Sequence, residues 1–410
     1  MIDVAIIGGG AAGFFAAINI KMNCPTAKVV ILEKTTKTLS KVKVSGGGRC
    51  NVTHNCESYS ELASNYPRGA KFLKPLFKEF GVPETINWFE NNGVKLTTEV
   101  DGRMFPISNT SETIVNLFES KVKSMNIDID LKSMVTDVIS EEDGTFKINL
   151  QDISQPIHAK FIILAAGGMN KNDSGNFLKN FNISTVNGVP SLFTFNIKNE
   201  ELATLAGVSV ERGKIKIAGL KQPYHGPILI THWGLSGPAV LKSSAWYARD
   251  LFDKLYQFDC LVSWLPIDSE AEALSVLENI FQENPKRQLN NLHVLDLPNR
   301  LWQYILLMAK VDPVKRCMET KKVELNRILE NLIRMPFSIS GKTTFKEEFV
   351  TAGGINLDEL NPSEMSLKNY PNIYAIGEMI DVDGVTGGFN FQAAWTTAWF
   401  AAQSISRKIN

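Results

Sequence analysis

The first forty residues alternate apolar runs and polar breaks in the manner of a βαβ unit. Residues 3–7 (DVAII) form a short, β-branched apolar run that is typical of a buried parallel strand. The glycine-rich string GGGAAG follows at 8–13, and residues 14–22 (FFAAINIKM) predict a helix with small residues facing the sheet. A second apolar run at 28–34 (KVVILEK) predicts the next strand.

The spacing of the glycines indicates a dinucleotide site. Gly8 allows the tight turn, Gly10 lets the backbone approach a pyrophosphate, and Gly13 lets the helix pack closely on the strand. The phosphates are expected at the helix N-terminus, where free N–H groups favour an anion. Glu33 ends the second strand and can accept hydrogen bonds from both ribose hydroxyls of an adenosine. This pattern does not choose between NAD and FAD.

Two further segments can complete the site. Residues 41–54 (KVKVSGGGRCNVTH) carry three glycines beside Arg49, so this loop can wrap a flat or phosphorylated ligand, or be an ordinary flexible turn. Residues 370–402 predict a strand, a turn with acids and glycines, and a helix rich in small residues. A helix that begins near Gly388 would aim free N–H groups at a ligand, although a plain closing βα unit has the same pattern.

Together these segments resemble one protein family. They are similar to the BaiN-like (YhiN-like) flavoproteins, a family of NAD(P)/FAD-dependent oxidoreductases also called aminoacetone-oxidase-family FAD-binding enzymes. The similarity lies in the stretches IIGGGAAG, SGGGRCNVTH, DGRMFP, THWGLSGPAVL, VTAGGINLDEL and IYAIGEMIDVDGVTGGFNFQAAWTT, which follow the family's order along the whole chain. Two departures are visible: His54 stands where Asn is common, and the middle of the chain matches loosely.

The resemblance implies FAD as the cofactor. Glu33 would hold the adenosine ribose, Ser45–Asn51 would run along the pyrophosphate and flavin, and the strand at Val135 would contact adenine. The helix from Gly388 would face the pyrimidine edge of the isoalloxazine, where negative charge develops on reduction. The implied FAD contacts are Gly8, Gly10, Ala11, Ala12, Gly13, Glu33, Lys34, Lys41, Ser45, Gly46, Gly47, Gly48, Arg49, Cys50, Asn51, Val135, Ala166, Gly167, Gly354, Gly377, Glu378, Asp381, Gly388, Phe389, Asn390, Phe391 and Gln392.

The expected fold is α/β, with a Rossmann-type, glutathione-reductase-like FAD-binding domain. Its nucleotide-binding segments fall at 1–190 and 345–410, so the domain is discontinuous in sequence. Residues 191–267 predict an inserted β-barrel-like subdomain, and residues 268–344 predict a small helical subdomain. The chain has one dinucleotide fingerprint, so NAD(P)H would bind transiently, or the electrons would come from the substrate.

Two residues are candidates for chemistry beside the flavin, which would itself carry the hydride. Arg103 can bind a substrate carboxylate or carbonyl, or lie on a surface turn as a solvated side chain. His232, in a loop of the insertion, can act as a general acid or base at neutral pH, or bond a loop carbonyl. Cys50 is interpreted as a small buried filler rather than a nucleophile.

Composition limits the partners. Lys plus Arg and Asp plus Glu both total 43, so no net charge draws the chain to nucleic acid or an anionic membrane. The five cysteines form no CxxC pair and the five histidines are scattered, so no metal site is predicted. No signal peptide or membrane-spanning run is seen, which favours the cytoplasm.

The predicted function is therefore an FAD-dependent oxidoreductase that transfers a hydride between flavin and a small organic substrate. Nucleic acid is not expected as a partner. Two alternatives keep the flavin, namely an RNA-modifying enzyme and a non-enzymatic redox sensor. The RNA-modifying alternative needs a basic face, for which the chain offers Lys286, Arg287, Lys315, Arg316, Lys321 and Lys322.

Overall fold

The computed structural model describes residues 1–169, 176–343 and 350–410. The chain divides into two compact units, Met1–Pro190 with Lys346–Asn410 (unit 1) and Ser191–Phe345 (unit 2). The separate helical subdomain expected from residue 268 onward stays a prediction, and each unit is described by itself below.

The elements are numbered in chain order. The strands are β1 (Ile2–Ile7), β2 (Val29–Glu33), β3 (Thr53–His54), β4 (Leu96–Thr98), β5 (Arg103–Pro106), β6 (Asp128–Leu131), β7 (Val135–Ser140), β8 (Phe146–Leu150), β9 (Ile153–Leu164), β10 (Thr185–Ser191), β11 (Thr194–Asn196), β12 (Ser209–Ile217), β13 (Tyr224–Thr231), β14 (Gly234–Ser236), β15 (Phe258–Ser263), β16 (Met335–Ile339), β17 (Gly341–Thr343), β18 (Val350–Ile355), β19 (Ser366–Leu367) and β20 (Tyr370–Ala375). The α-helices are α1 (Ala11–Asn23), α2 (Ser40–Gly48), α3 (Tyr59–Ser64), α4 (Ala70–Leu76), α5 (Val82–Asn91), α6 (Glu112–Ser124), α7 (Glu200–Ala203), α8 (Pro238–Trp246), α9 (Ala248–Asp253), α10 (Glu270–Glu283), α11 (Asn299–Met308), α12 (Lys322–Ile333) and α13 (Phe389–Ile409). Within the described ranges, none of the helices has the length and apolar character needed to cross a membrane.

The main sheet of unit 1 has the order β19-β20-β9-β1-β2-β6, with β8 and β7 added beside β9. β1 pairs in parallel with β2 and β9, and β9 pairs in parallel with β20. Residues Val4–Ile7 of β1 are buried, as expected for the central strand of a covered parallel sheet. The carboxyl ends of β1, β2, β9 and β20 therefore share one edge, where ligands bind in doubly-wound sheets.

An aromatic cluster fixes α1 against α13 in unit 1. The Phe15 ring centroid lies 4.4 Å from that of Trp88 and 5.2 Å from that of Trp395. Phe118 lies 5.7 Å from Trp395. Burial of each Phe contributes roughly 1.5–3 kcal/mol, so the two helices are held firmly together. This packing matters because both helices begin at glycine-rich turns.

Unit 2 contains a seven-stranded sheet with the order β16-β15-β12-β13-β14-β11-β17. Its strands pair antiparallel, and alternate residues of β12, such as Ile215, face the interior while Lys216 is exposed. Helices α11 and α12 place Ile305 and Ile328 in the same buried cluster as Ile215. The β-rich and helical parts of unit 2 therefore share one apolar core.

Candidate functional site

The three glycines of the β1–α1 turn meet different surroundings. A Cβ on Gly8 would lie 2.3 Å from the Ala165 carbonyl oxygen, and its φ is +116°, so only glycine fits. A Cβ on Gly13 would lie 2.2 Å from the Gly8 carbonyl oxygen, so Gly13 lets α1 close on the turn. By contrast, no atom of the described ranges lies within 4 Å of a Cβ placed on Gly10. The space beside Gly10 is open, at a helix end whose first N–H groups need an acceptor.

Glu33 stands beside this turn at the carboxyl end of β2. Its Oε2 accepts a hydrogen bond of 2.9 Å from the Gly9 amide, and its Oε1 accepts one of 2.9 Å from the Thr35 amide. A carboxylate has further lone pairs, so hydroxyl donors can still bind it. The Ser133 amide bonds the Glu33 carbonyl at 2.9 Å, which brings the start of β7 at Val135 to the same strand end.

The Gly46–Gly48 loop offers a second stretch of bare backbone. Its residues have φ values of +59°, +68° and +81°, which break the helical segment α2. No described atom lies within 4 Å of a Cβ placed on Gly47 or Gly48. Arg49 closes the loop: its Nε donates to the Gly46 carbonyl at 3.3 Å, and its guanidinium lies 4.0 Å from the Phe105 ring centroid. The loop is therefore braced on one side and open on the other.

The N-terminus of α13 is held beside the residues that follow this loop. Gly388 caps the helix with φ +96°, and a Cβ there would lie 2.8 Å from the Asn51 Oδ1. His54 stacks on Phe389 with ring centroids 4.7 Å apart, and its Nδ1 lies 3.0 Å from the Gly387 carbonyl oxygen. The first N–H groups of α13 thus lie close to the Asn51–His54 segment.

The segments after β9 and β20 reach the same sheet edge. A Cβ on Gly8 would lie 2.8 Å from the Ala166 Cα, so the chain after β9 touches the β1–α1 turn. Gly167 has φ +83° and no described atom within 4 Å of a Cβ placed on it. After β20, a Cβ on Gly377 would lie 3.0 Å from the Ala12 Cβ. Both segments therefore border the N-terminus of α1.

An ion pair joins α2 to the segment after β20. The Lys41 Nζ lies 2.6 Å from the Glu378 Oε2, and the Lys41 side chain is 46% exposed. Such partly exposed pairs contribute about 0–1 kcal/mol, so Lys41 can turn to a phosphate at little cost. Further along, the Asp381 amide donates to the Ile355 carbonyl at 2.9 Å, which fixes the start of the loop that leads to α13.

Arg103 is engaged by two acids. Its Nε lies 2.7 Å from the Asp101 Oδ2 and its Nη2 lies 2.8 Å from the Glu99 Oε2. Glu99 also binds the Arg49 Nη1 at 2.6 Å. Partial burial raises the pKa of Asp101, but hydrogen bonds from Arg103 outweigh burial and keep that pKa below its usual value. A substrate carboxylate would have to compete with both acids for Arg103.

The first turn of α13 directs its side chains to internal partners. The Gln392 amide bonds buried threonine hydroxyls at 2.6, 2.9 and 3.1 Å, so its polar atoms are taken inside the protein. Asn390 bonds both the amide and the carbonyl of Gly384, and Phe391 stacks on Trp395 at 5.5 Å. This turn can therefore offer a ligand its backbone, whereas these three side chains support the fold.

Several other predicted contacts have packing roles. A Cβ on Gly354 would lie 2.6 Å from the Met379 carbonyl oxygen, so this glycine permits backbone packing. Cys50 is buried, and burial raises its pKa to about 12, which keeps the thiol protonated at neutral pH. Ser45 donates to the Val42 carbonyl at 3.0 Å. Of the remaining predicted residues, Ala11 begins α1 and Lys34 is exposed after β2.

His232 belongs to unit 2, where it is exposed on the turn between β13 and β14. Its neighbour Trp233 is anchored, since its Nε1 bonds the Thr194 hydroxyl at 3.1 Å. A role for His232 in proton transfer stays a prediction. In the part of the chain that the structure describes, no group of three or more His, Cys, Asp or Glu side chains is placed to hold a metal.

Sequence reasoning missed a clamp on the loop that leads to α13. Arg68 forms a two-point ion pair with the fully buried Asp383, and the Tyr66 hydroxyl donates to the Phe389 carbonyl at 2.6 Å. The Val385 amide donates to the Asn65 carbonyl at 2.9 Å. A buried acid needs a partner, but 315 residues separate this pair in sequence, so no local pattern could have identified it.

These features fit an elongated dinucleotide. Open backbone lies beside Gly10 at the N-terminus of α1 and along the Gly46–Gly48 loop, and a carboxylate stands at the end of β2. The three positions match the needs of a pyrophosphate, a flat ring system and a ribose. All belong to unit 1.

Comparison with known proteins identifies the family. Residues 2–404 match the family model described as the HI0933-like protein Rossmann domain. The ribosomal RNA dihydrouridine synthase of Escherichia coli (strain K12) is 26% identical over 98% of both chains. The 3-dehydro-bile acid delta(4,6)-reductase of Clostridium scindens is 24% identical over 99% of both chains.

A solved structure shares the fold. The 3-ketosteroid-delta4-(5alpha)-dehydrogenase of Rhodococcus jostii RHA1 superposes with a TM-score of 0.52 at 13% identity, over 98% of this chain and 96% of the other. The resemblance and the Rossmann-type fold predicted from the sequence are thereby confirmed. The chain belongs to the HI0933-like Rossmann family, and the protein is an FAD-dependent oxidoreductase.

Proposed function

We propose that the enzyme passes a hydride from NAD(P)H, by way of FAD, to a carbon–carbon double bond conjugated to a carbonyl group. NAD(P)H and one proton are consumed, and NAD(P)⁺ and the saturated carbonyl compound are released. When bound, FAD supplies the two-electron chemistry that links donor and acceptor. The observation that carries the proposal is the N-terminus of α13, held beside the Asn51–His54 segment that follows the open Gly46–Gly48 loop.

The chain's own residues would hold the cofactor at both ends. The backbone at Gly10 and the N-terminus of α1 would bind the pyrophosphate, and Lys41 would add a positive charge. Glu33 would bind the adenosine ribose. The N–H groups at the start of α13 would favour negative charge on the ring, because they carry the positive end of the helix dipole.

The class of acceptor is supported by the names of two relatives. A dihydrouridine is a uridine whose ring double bond, next to a carbonyl, has gained two hydrogen atoms, and a delta(4,6)-reductase acts on carbon–carbon double bonds. The reactions named for these two proteins therefore share the reduction of a carbon–carbon double bond. We extend that shared chemistry to this chain.

NAD(P)H is proposed as a transient donor because the sequence has a single dinucleotide fingerprint, at Gly8–Gly13. A second nucleotide would then have to leave before the acceptor binds. Steady-state kinetics should accordingly show ping-pong behaviour. In a double-reciprocal plot of rate against one substrate, the slope should not change with the concentration of the other substrate. Intersecting lines would instead require that donor and acceptor bind together.

The test is an anaerobic visible spectrum of the purified holoenzyme, titrated first with NADH and then with NADPH. Bleaching by either nucleotide, followed by recovery on adding a conjugated enone, would support the proposal. A spectrum that neither nucleotide bleaches would refute the donor, and amine or alcohol donors would then be screened. A bleached spectrum that does not recover with the enone, and recovers only when oxygen is admitted, would refute the acceptor.

A second candidate acceptor is a uracil base in RNA, which one surface of unit 2 favours. Gln288 and Arg316 form an antiparallel bridge, and the Cys317 amide donates to the Arg287 carbonyl at 3.0 Å, so two basic segments lie side by side. Lys315 is paired with Glu324 at 2.7 Å. The other basic residues are exposed and make no ion pair within the described ranges: Lys286, Arg287, Arg316, Lys321 and Lys322. This surface would supply the basic face that RNA binding requires.

Retention of RNA at different salt concentrations tests this candidate. Replacing Lys321 and Lys322 together by Glu should weaken retention and reduce the slope of log affinity against log salt by about 1.4, since each phosphate contact to a single strand contributes roughly 0.7. Replacing Lys221 and Lys254 together by Glu is the matched control, because both are exposed elsewhere in unit 2. Equal losses for the double variant and the control would exclude this surface.

A further inference from the structure

One tyrosine contacts the first turn of α13 from the protein interior. Tyr66 is 1% exposed, and its hydroxyl donates to the Phe389 carbonyl at 2.6 Å. Burial raises the pKa of Tyr66 well above its usual value, so the hydroxyl keeps its proton and remains a donor at neutral pH. In an α-helix the same carbonyl also accepts from the amide four residues later. The Phe389 carbonyl therefore receives a second hydrogen bond, from a side chain that solvent does not reach.

The Phe389 carbonyl and the Asn390 N–H belong to one peptide group. A hydrogen bond to the carbonyl polarises that group and strengthens its N–H as a donor, by roughly 10–30% per bond. As is usual at the start of a helix, the amides of residues 389–391 make no hydrogen bond within the described ranges. Tyr66 therefore strengthens an N–H group that needs an acceptor from outside the helix.

The two sides of this turn differ in exposure. Tyr66 and Phe389 are buried. Gly387, Gly388 and Asn390, at the end of the helix where the unbonded amides lie, are partly exposed. A ligand can therefore approach these amides without displacing Tyr66.

Residues on both sides of Tyr66 bind the loop that precedes α13. The Asn65 carbonyl accepts from the Val385 amide at 2.9 Å. Arg68 forms its two-point ion pair with the buried Asp383. Because a buried ion pair is costly to break, the segment and the loop keep one arrangement. The hydroxyl of Tyr66 is thereby held against the first turn of α13.

We propose that Tyr66 is a positioning residue for the flavin ring, which acts by fixing and polarising the Phe389–Asn390 peptide. The Asn390 N–H then donates to the edge of the ring where negative charge develops on reduction. A stronger donor stabilises the reduced ring more than the oxidised ring, and so raises the midpoint potential of bound FAD. The proposal rests on the ring lying at the N-terminus of α13, as in the proposed function, and does not depend on the electron donor or the acceptor.

The test compares Tyr66→Phe with Tyr374→Phe, which also removes a buried hydroxyl that contacts α13. The Tyr374 hydroxyl lies 3.2 Å from the Ser404 Oγ, near the C-terminal end of the helix. Stepwise reduction with dithionite against a reference dye gives the midpoint potential of each holoenzyme. Tyr66→Phe should bind the reduced ring about fivefold more weakly relative to the oxidised ring, which lowers the potential of a two-electron couple by ~20 mV. Tyr374→Phe should stay within about 5 mV of the parent protein.

Asn390→Asp separates the role of Tyr66 from the placement of the ring. A carboxylate in the first turn of α13 should lower the potential by more than Tyr66→Phe does, because it repels negative charge on a nearby ring. If Asn390→Asp lowers the potential and Tyr66→Phe does not, the ring lies at α13 but Tyr66 does not tune it, and the proposal is overturned. If neither variant shifts the potential, the placement of the ring fails together with the proposal.

Equal shifts in Tyr66→Phe and Tyr374→Phe would also overturn the proposal. The loss of any buried hydroxyl on α13 would then have the same effect, and Tyr66 would only support the fold. None of these readouts depends on turnover with NAD(P)H or an acceptor.

Discussion

Two glycine-rich segments of unit 1 look alike in sequence and differ in what requires their glycines. In the β1–α1 turn, Gly8 and Gly13 are crowded by other backbone atoms at 2.3 and 2.2 Å, and Gly10 faces open space. In the Gly46–Gly48 loop, all three residues have positive φ, and both Gly47 and Gly48 face open space. The first segment needs glycine chiefly for packing, and the second needs it for backbone shape.

This difference separates the glycines that the fold requires from those that FAD binding requires. A crowded glycine is required whether or not FAD is bound, because the clash is with the protein itself. An open glycine leaves the fold largely indifferent to a side chain, provided that the backbone conformation allows one. Substitution at crowded positions should therefore be measured as lost stability, and substitution at open positions as lost FAD.

The largest effect is expected for Gly8→Val. Its φ of +116° and the 2.3 Å contact with the Ala165 carbonyl oxygen leave no room for a branched side chain. Unfolding in urea, measured without FAD, should show a loss of roughly 3–5 kcal/mol. A midpoint close to that of the parent protein would mean that the turn relaxes and that crowding does not explain this glycine.

Gly10→Val should instead abolish FAD retention and spare the fold. Gly10 has φ −92° and ψ −170°, which any residue can adopt, and its surroundings are open. We expect an affinity loss of at least about 100-fold, or ~2.7 kcal/mol, with a stability change within about 1 kcal/mol. The ratio of flavin to protein absorbance measures the first quantity and urea unfolding the second. A yellow variant would contradict the assignment of the pyrophosphate to this turn.

Glu33→Ala should have an intermediate effect. Loss of charge-assisted hydrogen bonds to the ribose should weaken FAD binding about tenfold, and stability should fall by about 1 kcal/mol because the Gly9 and Thr35 amides lose their partner. Glu33→Gln is the control, since it keeps one oxygen as an acceptor. Its FAD affinity should lie between those of the parent protein and Glu33→Ala. FAD titration of the parent protein and both variants gives the order of their affinities. An unchanged affinity for Glu33→Ala would show that this residue does not bind the ribose.

The smallest effect is expected for Gly48→Ala, which sharpens the comparison at the open loop. A left-handed φ of +81° should cost alanine about 1 kcal/mol of stability. Gly93→Ala is the matched control, because Gly93 has φ +90°, is equally open and lies on the turn after α5. Both variants should lose similar stability, whereas only Gly48→Ala should weaken FAD binding, by a few-fold. Equal FAD affinity in Gly48→Ala and Gly93→Ala would show that this loop does not bind the cofactor.

The sequence was sufficient for features set by local spacing. The β1–α1 turn, the acid at Glu33 and the parallel strands around them follow from hydrophobic period and glycine spacing, because each is built within a few dozen residues. The structure leaves Gly10 open and crowds Gly8 and Gly13 against backbone atoms, while the pyrophosphate role of Gly10 stays a prediction. The choice of FAD over NAD came from the resemblance to a family, because the glycine spacing does not distinguish the two.

Roles that depend on distant partners could not be inferred in this way. Gln392 is predicted to contact the cofactor, and its side-chain bonds to Thr53, 339 residues earlier, and to two other threonines could not be read from the sequence. Arg103 is a different case, because its partners Glu99 and Asp101 lie in the same turn. The sequence leaves open a substrate ligand or a solvated surface residue, and the ion pairs appear only in the folded turn.

The discontinuity of unit 1 has a consequence for when the enzyme can acquire its cofactor. The Thr53–Gln392 contact spans 339 residues, which a ribosome adds in about 17–70 s at roughly 5–20 residues per second. During that interval the β1–α1 turn exists without the C-terminal helix that completes the opposite side of the cradle. FAD loading should therefore follow synthesis of α13, and a ribosome stalled before residue 389 should carry a colourless chain.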